Sequence, residues 1–136
     1  MPSAAPLDVL LVEPEHLLRR TVALTVRSLG TAEITEAATY PVAHGLCARR
    51  GFDGAVIALE WPLSLESHRG LSLVQQIRAG DSACRPTIPI AVLVESCTAE
   101  TLQLLRSCGI ARILIKPFRV RDVIDTIDAM RAGVPA

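Results

Sequence analysis

The chain has a single lysine, no excess of charge of either sign, no closely spaced cysteine pair and no long apolar run, and each gap removes a class of function. Its 136 residues carry fourteen basic and fourteen acidic side chains. That balance supplies no global field to draw the protein onto nucleic acid or an anionic membrane, so neither is expected as a partner. Thirteen of the fourteen basic residues are Arg, which leaves Lys116 as the one ammonium group and a position to weigh separately. Cys47, Cys84, Cys97 and Cys108 form no C-x-x-C pair and follow no secretory signal, so a reduced, cytoplasmic chain is expected. No apolar run approaches the roughly 20 residues that span a bilayer. The opening Met-Pro-Ser-Ala-Ala-Pro is too short and proline-rich for a signal's apolar core. The chain contains neither G-x-G-x-x-G nor a glycine-rich turn ending in Lys and Ser or Thr, which removes dinucleotide and P-loop sites. His16, His44 and His68 share no metal-ligand spacing. No metal and no cofactor are expected.

Half of the residues are hydrophobic, enough for the core of one domain. The run Ala55 to Leu59 inside Phe52 to Pro62 is unbroken and apolar, as a strand covered on both faces must be. Around it the pattern predicts strands at Leu7 to Val12, Ala32 to Ala37 (an edge strand), Ile88 to Val94 with Pro89 near its start, and Ile113 to Ile115. Helical spacing predicts helices over His16 to Leu29, Pro41 to Arg50, Gly70 to Ala79, Thr98 to Cys108 and from Val120 through Met130. Gly30, Gly51 and Gly109 stand as stops, and Leu63 to Arg69 reads as a polar loop. Five strands alternating with five helices imply an α/β fold, a single doubly wound (βα)5 flavodoxin-like domain over residues 7–132. Residues 1–6 and 133–136 read as tails. In such sheets the working site lies past the carboxyl ends of the strands, around Ala58, Leu59 and Glu60.

These residues resemble the response-regulator receiver domains, the CheY-like family, from about Leu7 to Met130. V-L-L-V-E-P-E-H-L-L-R-R is similar to the family's first strand, acidic turn and first helix, and L-E-W-P followed by Gly70 to its third strand and loop. The most specific match is I-L-I-K-P-F at Ile113 to Phe118. The resemblance implies a parallel sheet of order 2-1-3-4-5, a phosphoryl-contacting Lys116 and a cis Lys116-Pro117 bond. The family phosphorylates an Asp at the end of strand three, four residues before the loop proline. Counting back from Pro62, that position is Ala58, whose methyl group cannot act as a nucleophile. Glu13 stands where the first metal-site acid belongs and Pro14 where the second belongs, so magnesium binding is expected to be weak or absent. Val94 replaces the hydroxyl residue ending strand four, and Ile113 the aromatic switch of strand five. The pattern is that of a pseudo-receiver, a retained scaffold without its catalytic groups and not an enzyme.

The residual pocket is expected to comprise Glu13, Pro14, Val94, Glu95, Lys116 and Pro117, with Lys116 paired to Glu13 because buried charges need partners. Asp53 and Glu60 read as solvated carboxylates, since Asp53 opens the strand at its far end and Glu60 lies beyond it. The cysteines read as small buried hydrophobes, although Cys97 and Cys108 bracket the fourth helix where a redox switch is conceivable. Trp61 reads equally as a partner contact or a lone exposed aromatic. Arg106, Arg112, Arg119, Arg121, Asp122 and Asp125 place mixed charge on helix four, strand five and helix five, the surface through which receiver-like domains dimerise or dock partners. A stand-alone module of two-component signal transduction is therefore expected, the chain ending just past helix five, with a signalling protein, histidine kinase or response regulator as partner and a homodimer as one form. The competing readings are phosphoryl chemistry at an unconventional residue and a small-molecule or redox sensor using the vacated pocket.

Overall fold

The computed structural model describes residues 6–60 and 69–133. In chain order the elements are β1 (Leu7–Val12), α1 (His16–Leu29), β2 (Ala32–Ala37), α2 (Tyr40–Arg49), β3 (Gly54–Ala58), α3 (Arg69–Arg78), β4 (Ile90–Val94), α4 (Ala99–Ser107), β5 (Arg112–Ile115) and α5 (Val120–Ala129), followed by a short 3-10 helix, Met130–Gly133. The five strands form one sheet in the order β2-β1-β3-β4-β5, and every neighbouring pair is parallel. The α/β doubly wound fold and the edge position of β2 are as the sequence implies.

Side chains of the three inner strands alternate between two cores. Leu10, Val12, Ala55, Ile57, Ile90, Val92 and Val94 point to the face covered by α2, α3 and α4. Val9, Leu11, Val56, Ala58, Ala91 and Leu93 point to the face covered by α1 and α5. Both sets are buried because a crossover helix lies on each side, which is why β3 and β4 carry no polar residue. No helix among the described residues is long and apolar enough to cross a membrane.

Local signals set the boundaries. Gly30 ends α1 in the left-handed region at φ 70°, its N–H donating to the carbonyls of Val26 and Arg27. Thr98 caps α4 through a hydrogen bond to its Oγ1 from the N–H of Thr101, 3.1 Å. Several expected limits shift. β3 begins at Gly54 and ends at Ala58, so Leu59 lies past the ladder. β4 begins at Ile90 rather than Ile88, because Pro89 has no N–H and precedes the paired residues, although its carbonyl accepts from Ala55. Arg69, expected in the loop, is the first residue of α3, and α2 starts at Tyr40 behind the Thr39 cap. Gly133, assigned to the tail, belongs to the final 3-10 helix. Residues 1–5, 61–68 and 134–136 lie outside the described residues, and with them the expectations placed on the Leu63 to Arg69 stretch before Arg69 and on Trp61, Pro62 and His68.

Candidate functional site

Parallel pairing brings the carboxyl ends of β1, β3, β4 and β5 to one edge of the sheet, where they enclose a cleft of about 240 Å³. Its floor is apolar: Ala58, Leu59, Leu93 and Val94. Glu13, Glu15, Glu60 and Glu95 also line the cleft, and Lys116 is the one cation lining it among the described residues. Ala58 is 7% exposed and sits at the last rung of β3, opposite Leu93. The carbonyl of Ala58 accepts a hydrogen bond from the buried phenol of Tyr40. Burial raises the Tyr40 pKa well above the ordinary phenol value, and the Glu60 and Glu13 charges act in the same direction, so the phenol keeps the proton it donates.

Glu13 is 4% exposed. Its backbone N–H donates to the Ala37 carbonyl, its own carbonyl accepts from the Arg19 guanidinium at 2.8 Å, and its Oε2 accepts from the Glu15 N–H at 3.2 Å. Burial raises the carboxyl pKa, opposed by that amide hydrogen bond and by the Lys116 charge. A carboxyl whose folded pKa is raised stabilises the fold fully below its unfolded pKa, and this contribution is lost as pH rises through the folded value. At neutral pH the buried charge is therefore a net cost. Glu13→Gln, which keeps the shape and the acceptor, is expected to unfold at a higher temperature than wild type near neutrality. The advantage should shrink as pH falls from neutrality toward the ordinary Glu value of about 4 and be gone below it. Melting curves across that range check this, and a difference that stays constant or grows on acidification would refute it.

Lys116 does not pair with Glu13 as expected. Its Nζ lies 2.7 Å from Glu95 Oε1, on the half-exposed rim. The register explains the choice: Val94 is opposite Ile115, and the Lys116 N–H donates to the Val94 carbonyl, so Glu95 and Lys116 occupy the next rung beyond two paired strands. The side-chain hydrogen bond with Glu95 raises the Lys116 pKa more than desolvation lowers it, and the Glu95, Glu13 and Glu15 charges add to the rise. The Lys116-Pro117 bond is cis, and Lys116, Pro117 and Phe118 line a second, open groove against Glu15 and Leu18.

Asp53 and Glu60 are not simply solvated. Asp53 Oδ2 accepts from the Asp8 N–H at 2.9 Å, joining β1 to the entry of β3 at the far end of the sheet. Glu60 Oε1 accepts from the Arg69 N–H at 2.6 Å, at the start of α3, where an anion meets unpaired amides. Cys47 and Cys84 are buried as expected, whereas Cys97 and Cys108 are half-buried beside the core. Of the expected partner face, Arg106, Arg112, Arg119, Arg121 and Asp125 are exposed. Asp122 is already engaged, its Oδ2 accepting from the Arg119 N–H at 2.8 Å at the start of α5. It is a cap and not a free partner for another chain.

Known structures share this arrangement. The receiver domain of a Francisella response regulator superposes with a TM-score of 0.77 at 19% identity, covering 93% of this chain and 98% of that one. A Vibrio cholerae CheY chemotaxis protein gives 0.73 at 23% identity over 93% and 99% of the two chains. The fold is that of a response-regulator receiver domain. The receiver domain of a Pseudomonas aeruginosa sensor histidine kinase, whose structure holds a magnesium ion coordinated in the active-site cleft, also matches, with a TM-score of 0.72 at 22% identity over 94% and 99%. No protein-family model matches the sequence, and no curated protein matches it.

Among the described residues, those at the corresponding cleft of this chain do not fit magnesium. Pro14 and Ala58 offer no side-chain oxygen, the Ala58 carbonyl is taken by Tyr40, and Glu13 already accepts an amide. Among the described residues no group of three or more His, Cys, Asp or Glu is arranged to hold a metal ion. Sequence reasoning passed over Tyr40. The signal was present, since it is the only tyrosine and stands just after a helix-capping Thr39 and before Pro41.

Proposed function

We propose that this chain is a pseudo-receiver that acts in two-component-type signalling by protein–protein interaction, without aspartyl phosphorylation. The observation that carries the reading is Ala58, a methyl group at the end of the central strand and on the floor of the cleft. Aspartyl phosphorylation requires a carboxylate nucleophile there. Lys116, the group that would meet a phosphoryl oxygen, is instead satisfied by Glu95. The scaffold that presents partner surfaces is kept. Edge strand β5 exposes Arg112 and Ile115, Ile115 at 47%, and only Leu105 of α4 is buried. A strand edge that is unpaired among the described residues, flanked by two helices and carrying mixed charge, suits a protein partner, a second copy being the simplest.

The test has two arms. Acetyl phosphate with magnesium is expected to add no phosphoryl group to the intact mass, and beryllofluoride to leave the amide resonances of Glu13 and Lys116 in place. A phosphoryl adduct, or saturable shifts at those amides, would overturn the reading. In sedimentation, Arg112→Glu is expected to weaken self-association at least tenfold relative to wild type, the scale of a lost charge pair at an interface. A wild-type chain that stays monomeric at all concentrations would remove the dimer and leave a different protein as the occupant of that face.

A further inference from the structure

One carboxyl of the cleft is buried without a counter-cation. Glu13 lines the cleft and is 4% exposed, yet the hydrogen bond that Oε2 accepts from the Glu15 N–H is all that its carboxylate makes among the described residues. Oε1 has no partner there, and no cation lies within ion-pair distance of either oxygen. The two cations whose charges reach Glu13 are Lys116 and Arg19. Both are engaged elsewhere, Lys116 with Glu95 at 2.7 Å and Arg19 with Glu36 and with the backbone carbonyl of Glu13. An ionised carboxyl in such a place costs stability until something pairs with it, and a Gln of the same shape would avoid that cost.

The surroundings of Glu13 restrict what that something is. Ala58, Leu59, Leu93 and Val94 are buried and apolar, so the floor of the cleft favours methylene groups over water. Glu15, exposed at the N-cap of α1 with no cap hydrogen bond from its side chain, lines the same cleft and adds a second carboxylate. An anion is repelled by these two groups. A hard divalent ion needs several oxygens in one shell, and among the described residues no three ligating groups are so arranged. The volume of about 240 Å³ lies below the roughly 300–1,000 Å³ of drug-sized sites. The occupant is therefore a molecule of a few carbons.

We propose that the cleft binds a small organic cation, an ammonium or guanidinium group on a short alkyl stem, its charged head paired with Glu13 and its stem lying on the floor formed by Ala58, Leu93 and Val94. Either head donates to a carboxylate through charge-assisted hydrogen bonds, and the stem removes apolar surface from water. Binding thus supplies the counter-charge that Lys116 and Arg19 withhold, and it stabilises the fold by mass action. The inference rests on the pseudo-receiver reading, because a cleft holding magnesium and a phosphoryl group would have no place for such a ligand.

The experiment titrates n-butylguanidinium and n-butylammonium into the intact chain at fixed ionic strength, following amide resonances and Tm. Pentanoate, with the same stem and the opposite charge, is the control. The expected result is saturable shifts at Glu13, Glu15 and Lys116 with a Kd of about 1 mM or tighter, a Tm that rises with cation concentration, and no response to pentanoate. Binding by either cation supports the proposal, and the tighter of the two identifies the head group. Glu13→Gln, whose fold is expected to be the more stable one, should bind about tenfold more weakly or worse. Lys116→Met should bind the cation more tightly, since a competing positive charge is gone, whereas an anion site would weaken. The proposal is overturned by the lack of any saturable shift up to about 10 mM, by an affinity that Glu13→Gln leaves unchanged, or by pentanoate binding as well as the cations. Those results would leave the pseudo-receiver reading standing, which falls instead on a phosphoryl adduct formed with acetyl phosphate.

Discussion

Replacing Arg78 with alanine is expected to lower the stability of the domain by about 3 kcal/mol. Its guanidinium at the end of α3 donates to four backbone carbonyls: Cys108 from Nε at 2.9 Å, Gly109 from Nη2 at 3.0 Å, and Pro86 and Ile88 from Nη1 at 2.6 and 2.8 Å. Two of those carbonyls belong to the turn between α4 and β5 and two to the segment entering β4, so one side chain ties three parts of the fold together. Desolvation by its surroundings lowers the Arg78 pKa, yet a guanidinium remains charged at any physiological pH. Charge-assisted hydrogen bonds contribute roughly 1.5–3 kcal/mol each when buried. Pro86 and Gly109 are exposed and will find water after truncation, so the sum is well below four full bonds. For a domain of this size about 3 kcal/mol corresponds to a fall in Tm of roughly 10 °C. Arg78→Lys should recover less than half, because an ammonium cannot span carbonyls lying on two separate segments. Urea and thermal unfolding of the three proteins check this, with amide exchange at Cys108 and Gly109 as the local readout. A loss under about 1 kcal/mol for the alanine variant would mean the carbonyls rehydrate freely and the tie is incidental.

Gly70→Val is expected to cost about 2–3 kcal/mol and to disturb the cleft as well. A Cβ on Gly70 would lie 2.8 Å from Leu59 Cδ2, 3.2 Å from Tyr40 Cε1 and 3.3 Å from the Ala58 carbonyl oxygen. The tip of Leu59 can swing aside. The Tyr40 ring cannot easily do so, because its hydroxyl is bonded to that same carbonyl, and the carbonyl is backbone of the central strand. A branched side chain therefore pushes α3 away from β3 or breaks the Tyr40 hydrogen bond. Gly45 is the internal contrast, lying within α2 where a Cβ would meet nothing within 4 Å. Gly45→Ala should raise stability by about 0.5–1 kcal/mol, through helix propensity and a less disordered unfolded chain. Paired denaturation curves test both, with near-ultraviolet circular dichroism reporting on the lone tyrosine among the described residues. Equal midpoints for wild type and Gly70→Val would show that the close approach at α3 is not required.

Nearly all of the fold was legible because its signals are local. Apolar runs of four to six residues at Leu7–Val12, Ile90–Val94 and their neighbours, set between helices with 3.6-residue spacing and glycine stops, leave few topologies other than a doubly wound sheet. The run around Ala58 had to be an inner strand, since no wet face could tolerate it, and Ala58 had to reach the carboxyl edge because the run ends there. Boundaries drifted by one or two residues where a proline or a cap decided them, as at Pro89 and Thr39.

Partner choice between side chains was not legible. Lys116 had Glu13, Glu15 and Glu95 all within plausible reach in sequence terms, and only the β4–β5 register put Glu95 on the adjacent rung. Asp122 looked like a surface charge until its position at the start of α5 turned it toward the Arg119 amide. Tyr40 meets Ala58 and Arg78 meets Cys108, each pair far apart along the chain. Periodicity records which face a residue occupies, a property of its own helix or strand. Which two residues on facing elements touch depends on crossover packing and register, and these exist only once the chain has closed around its sheet.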